Sequence, residues 1–112
     1  MTKIFPKPIT KLPKADIHID GLEAYLAQEK NNQILFMKFC KNIEIPPHKH
    51  AAQWGIVLEG EIELIIDGHK EKYCKGDRYF IPKEVEHSAI IYAGYSDITF
   101  FNEKDRYKIK RS

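Results

Sequence analysis

The stretch PPHKHAAQWGIVLEG, residues 46–60, decides how the rest of the chain is read. Its two prolines exclude a helix and leave the backbone extended into His48-Lys49-His50. On an extended strand, residues i and i+2 project to one face, so the imidazoles of His48 and His50 stand side by side. The segment Gly55–Ile66 that follows is rich in Ile, Val and Leu, and Glu61 and Glu63 alternate with Ile62 and Leu64. That alternation is the pattern of a half-buried strand. Asp67-Gly68 then closes it with the strongest hairpin signal in the chain, because a tight primed turn needs positive φ.

Working outward, the return strand is His69–Cys74, and Lys75-Gly76-Asp77 turns the chain into Arg78–Pro82, His87–Tyr92 and Asp97–Asn102. Upstream, Ile34–Ile45 is apolar and extended. Short strands spaced 8–12 residues apart by Gly, Pro and Asp predict an all-β sandwich or small barrel. In GLEAYLAQEK (residues 21–30) composition favours a helix capped by Asp20, but Leu22, Ala24 and Leu26 alternate with Glu23 and Tyr25. The all-β surroundings favour a strand there. Residues 1–14, with Pro6, Pro8 and Pro13, read as an extended arm. Its Ile4, Phe5, Ile9 and Leu12 suit either a site on its own domain or the sheet edge of a partner. The segment Lys104–Arg111 reads as a solvated basic end.

The 112 residues are the size of a single domain, residues 1–112. The 43% hydrophobic and 30% charged residues are ordinary for a globular chain. No apolar run approaches the roughly 20 residues of a spanning helix, and no signal peptide is visible at the start. The 18 Lys and Arg against 16 Asp and Glu leave a net charge of only +2, which gives no basic field for nucleic acid. Cys40 and Cys74 are too few for a disulfide scaffold and lack Cys-x-x-Cys spacing. A cytoplasmic protein with neither nucleic-acid nor membrane partners is the expectation.

Two imidazoles from one strand and a third, His87, from a neighbouring strand make a three-point site suited to Zn, Fe, Cu or Ni, and less specifically Mn. The wider spacing resembles the cupin superfamily. Its first motif, Gly-x5-His-x-His-x3–4-Glu-x6-Gly, matches Asn42, His48, His50, Gln53 and Gly60. Its second, Gly-x5-Pro-x-Gly-x2-His-x3-Asn, matches Gly76, Pro82, Glu84, His87 and Ile91. The resemblance implies a cupin-type jelly-roll β-barrel with a central ligand pocket. It also implies a divalent transition metal (Zn, Ni, Fe or Mn) held by His48, His50, Gln53 and His87.

The departures carry their own expectations. Asn42 replaces a glycine and tolerates the left-handed region. Glu84 replaces another and calls for a turn of negative φ. Gln53 replaces a carboxylate and follows His50 at a shortened gap, so a bulge is needed to bring it to the histidine face. Without that carboxylate, a bound ion would keep its full +2 charge and act as a stronger Lewis acid toward an anion. Glu59 and Glu86 lie close to the ligands along the chain.

Other residues divide between packing and function. Trp54 points away from Gln53 and reads as a core plug or an interface anchor. Gly55 leaves room beside the metal, or marks a bulge or a close approach of strands. Tyr92 and Tyr95 rim the pocket mouth or pack with a wet hydroxyl. His18 and His69 belong to the surface. Two functions follow: a metal-dependent small-molecule enzyme, with dioxygenase-, isomerase- or decarboxylase-like chemistry, or a non-catalytic small-ligand binding or sensing module. The small core, the apolar arm and the resemblance all point to a homodimer.

Overall fold

The computed structural model describes residues 4–110; residues 1–3 and 111–112, the ends of the expected arm and basic tail, lie outside them. The nine strands among the described residues are β1 (Leu22–Gln28), β2 (Gln33–Phe39), β3 (Ile43–His48), β4 (Gln53–Glu59), β5 (Glu61–Ile66), β6 (His69–Cys74), β7 (Arg78–Ile81), β8 (His87–Ile91) and β9 (Ser96–Phe101). They form a five-stranded sheet in the order β1-β2-β9-β4-β7 and a four-stranded sheet in the order β3-β8-β5-β6. All pairings are antiparallel. This is the all-β jelly-roll architecture. Among the described residues, no helix is long and apolar enough to cross a membrane.

The period-2 alternation explains the faces. On β2, Gln33, Leu35, Met37 and Phe39 are buried while Ile34, Phe36 and Lys38 are not. β8 buries His87, Ala89 and Ile91. The inward side chains of both sheets form one core that includes Leu26, Leu35, Val57, Ile62, Leu64 and Ile81. Residues 21–30 resolve as the strand β1, paired along its whole length with β2. Tertiary pairing overrides the helix propensity of GLEAYLAQEK, since an amphipathic segment beside an open sheet edge gains a full hydrogen-bond ladder.

Two long extended stretches are broken where a corner is required. Ile34–Ile45 divides at Cys40–Asn42, and Gly55–Ile66 divides at Gly60, which takes φ +78°. A Cβ on Gly60 would lie 2.7 Å from the Tyr95 Cα, so backbone conformation and space both demand glycine there. The chain thereby passes from the five-stranded to the four-stranded sheet.

The arm is not uniformly extended. Lys7–Thr10 form a single helical turn, α1, entered through extended Pro6 and with Pro8 in its first turn. Pro8 fits there because a first-turn N–H has no intrahelical partner to lose. Phe5 is buried edge-on against Tyr25 and Phe36, so the arm lies on its own domain. The basic tail is also tied down. Lys110 N–H donates to the Lys14 carbonyl, and the Gln33 amide bonds both the carbonyl and the N–H of Tyr107.

Candidate metal centre

The three histidines converge from different elements. His48 ends β3 and lies directly across from His87, the first residue of β8. His50 sits two residues beyond β3, in the connector 49–52 rather than on the strand. The expectation of one strand carrying both rings is therefore corrected: a β3–β8 register shift between Ile45 and His48 and the exit from the strand together set the ring directions. Ring centroids are 4.3 Å apart for His48–His87, 4.7 Å for His50–His87 and 5.1 Å for His48–His50. One ligating nitrogen from each residue lies within 4.8 Å of the other two.

Backbone carbonyls determine the tautomers. His48 Nδ1 is 2.9 Å from the Pro46 oxygen, His50 Nδ1 is 2.7 Å from the Ala51 oxygen, and His87 Nδ1 is 3.0 Å from the Val85 oxygen. A carbonyl can only accept, so each Nδ1 carries the proton and donates. Each neutral ring then keeps its lone pair on Nε2, the arrangement a metal-binding histidine needs. Burial pushes His50 and His87 below the ordinary histidine pKa, and positive charge on the neighbouring histidines and Arg106 acts in the same direction. Both therefore stay uncharged at neutral pH.

A left-handed residue braces this arrangement. Glu84 takes φ +60°, so the negative-φ turn expected there does not form. Its backbone N–H donates to the His50 carbonyl at 2.9 Å, which ties the His50 connector to the β7–β8 turn. Asn42, by contrast, is not left-handed; its side-chain oxygen accepts the Ala93 N–H at 2.8 Å and pins the corner by hydrogen bonding. Neither Glu59 nor Glu86 serves the histidines: all three Nδ1 atoms use backbone carbonyls, and Glu59 pairs with Lys75.

The histidines open on a cavity of about 300 Å³ between the sheets. This lies at the small end of ligand pockets. Gln53, at the start of β4, lines it with them. No bulge beside Gln53 is required. The connector 49–52 carries the chain from one sheet to the other, so strand parity does not continue from His50 to Gln53. The Gln53 Nε2 donates to the Tyr79 hydroxyl at 3.4 Å. Gly55 explains how Tyr79 comes this close: the two residues pair across β4 and β7, and a Cβ on Gly55 would lie 2.3 Å from the tyrosine ring. The glycine makes room for an aromatic ring, as a close approach of strands.

Several cavity residues were not legible as such. Tyr95 is buried and bonded inside, neither rimming the mouth nor wetting its hydroxyl. Asp97 and Thr99 are buried polar residues on the inward face of β9. Arg106, in the segment expected to be solvated, turns into the cavity with its guanidinium 4.5 Å from the Tyr107 ring centroid. Its Nε is buried without a partner among the described residues. The alternation of β9 marks Asp97 as inward, but nothing local marks Arg106. Trp54 faces outward and is 40% exposed, so it is not a core plug. His18 and His69 are on the surface, as expected.

A two-sheet jelly roll with three histidines, from β3, the connector after it and β8, gathered at a central cavity defines a class of β-barrel proteins. The chain belongs to the cupin family: residues 36–94 match the cupin domain. An uncharacterized protein of Aquifex aeolicus (strain VF5) is 37% identical over 71 residues. That match covers 62% of this chain and 58% of the relative. An RmlC-like cupin from Shewanella frigidimarina superposes with a TM-score of 0.74 at 24% identity, over 94% of each chain. KdgF from a Halomonas species gives 0.69 at 22% identity, over 81% of this chain and 87% of that one. A single-substitution variant of the oxalate decarboxylase of Bacillus subtilis gives 0.72 at 16% identity, over 87% of this chain and 29% of that one. At these identities the structural likeness concerns the fold.

Proposed function

We propose that this cupin holds a divalent transition metal between His48, His50 and His87 and presents it to a small anionic ligand in the cavity. The observation that carries the reading is the common tautomer, with three backbone-anchored imidazoles leaving their Nε2 lone pairs for one ion. The donor set fits such a metal, since neutral imidazole suits Zn, Ni and Fe. With Nε2 committed to Tyr79, Oε1 is the atom Gln53 can offer. A bound ion would supply Lewis acidity to a ligand oxygen. Arg106 contributes a second positive centre, and its unpartnered Nε suits a carboxylate. Catalysis and ligand sensing are both compatible with this geometry; the anionic ligand is common to them.

The test is elemental analysis of purified, reconstituted protein, followed by chelator competition. About one metal per chain is expected, with His50→Ala or His87→Ala abolishing it. Gln53→Glu should tighten binding and shift preference toward Mn or Fe, because a carboxylate adds charge and hardness. Metal-free protein after reconstitution would remove the reading.

The chain is further read as a homodimer. Trp54 and Phe80 are directly paired across β4 and β7 on the outer face of the five-stranded sheet, at 40% and 57% exposure. Two adjacent exposed aromatics beside a sheet edge are the anchors a second copy would cover.

A further inference from the structure

Away from the histidines, the cavity has a second polar group whose bonding is incomplete. Asp97 is 3% exposed, and Tyr79, Tyr95 and Thr99 around it are equally enclosed. All four line the cavity. The Tyr95 hydroxyl donates to Asp97 Oδ2 at 2.5 Å, and the Tyr79 hydroxyl donates to the same oxygen at 3.1 Å. The Thr99 hydroxyl lies 3.3 Å from the Tyr79 oxygen, to which Gln53 also donates. Each tyrosine has one proton, and both are directed at Oδ2. Asp97 Oδ1 is left with no partner among the described residues.

A buried carboxyl oxygen without a donor is costly, and native proteins rarely keep one without a role. An apolar side chain on β9 would pack against the same walls without that penalty. Neither tyrosine has a proton left for Oδ1, and Asp97 lines the cavity, so a ligand entering there is a source of the missing donor. Four residues further along β9, the Phe101 ring packs against both His50 and Arg106, so the positive group of the cavity lies with the histidines.

We propose that Asp97, oriented by Tyr79 and Tyr95, binds a hydroxyl or ammonium group of the ligand, so that the cavity selects small hydroxy- or amino-carboxylates over plain carboxylates. This rests on the reading of the cavity as an anion site and names the class of anion. The carboxylate of the ligand faces Arg106 and the histidine end, and its hydrogen-bond donor faces Asp97. Gln53 and Tyr79 form the link between the two ends, joined by the 3.4 Å contact.

The test uses the full chain, metal-free and Ni-loaded, and calorimetric titration with two matched series: succinate, malate and aspartate, then glutarate, 2-hydroxyglutarate and glutamate. Within at least one series, the hydroxylated or aminated member should bind roughly 5- to 100-fold more tightly than the plain one, the range expected for satisfying a buried acceptor. Asp97→Asn should erase that preference while leaving nickel affinity, measured by chelator competition, unchanged. Equal affinities within both series for the unmutated protein would overturn the proposal and leave the anion site standing, and this comparison decides even if the variant does not fold. A preference that survives Asp97→Asn would also overturn it. Binding of none of the six compounds would overturn it together with the anion site. A preference seen in the metal-free protein, in a chain that takes up no nickel, would support Asp97 recognition and remove the metal reading alone.

Discussion

Replacing Asp97 by Asn should make the protein more stable at neutral pH, by an amount that depends on pH in a defined direction. Burial pushes the Asp97 carboxyl from its ordinary 3.8 up to about 6, against the hydrogen bonds from Tyr95 and Tyr79, which favour the ionised form. The folded state therefore binds more protons than the unfolded one between about pH 4 and pH 6. Stability attributable to this group falls as pH rises through that window, and the loss is complete above it. Two units correspond to on the order of 3 kcal/mol. Asn keeps the shape and has no proton to lose, but its amide needs its own partners, which offsets about 1–2 kcal/mol. The stability difference between variant and parent should thus widen by up to about 3 kcal/mol from pH 4 to pH 7. The titratable groups facing Asp97 are Tyr79, Tyr95 and Tyr107, and burial raises all three hydroxyls, so they stay protonated throughout. The lowered histidines contribute in the opposite sense but equally in both proteins once metal is removed. Urea unfolding of the two metal-free proteins, at one protein concentration and several pH values, measures the difference. A difference that is flat between pH 4 and pH 7 would mean that burial does not raise the Asp97 carboxyl in the folded protein.

Three further outcomes are expected. Gly55→Ala places a methyl 2.3 Å from the Tyr79 ring and should destabilise by about 1–3 kcal/mol in denaturant titration, with the Tyr79–Asp97 contact weakened in a crystal structure. Glu84→Gly should be neutral or stabilising by about 0.5–1 kcal/mol, because it relieves the left-handed strain while keeping the N–H to the His50 carbonyl; a loss of stability would show that the Glu84 side chain matters. Light scattering at micromolar concentration should give about twice 13.1 kDa, and Trp54→Lys should yield folded monomer. A monomeric parent across a range of concentrations would remove the dimer.

Much of this molecule is written in local patterns. Alternation along residues 61–66, the Asp67-Gly68 turn and the regular spacing of Gly and Pro specify strands and hairpins, because side-chain period and turn φ are properties of a few adjacent residues. The His48, His50 and His87 spacing, with Gly60 and Gly76 between, was enough to bring three imidazoles together on paper. The sequence also places Asp97 on the parity of Thr99 and Phe101, although not in a cavity.

Tertiary structure decided what depends on residues distant in the chain. Residues 21–30 became a strand because β2 offered hydrogen bonds along its edge, a term that propensity does not contain. Gln53 reaches the histidine cavity without a bulge because the chain changes sheets at 49–52, and the face a side chain shares with others is defined only within one sheet. Glu84 adopts a left-handed conformation that its type disfavours, held by a bond to the His50 carbonyl thirty-four residues earlier. Arg106 looked like part of a solvated tail until Gln33 and Lys14 anchored that segment across the barrel. Asp97 acquired its raised pKa from burial between two sheets, and desolvation is a property of the assembled fold, not of any neighbouring residue in the chain.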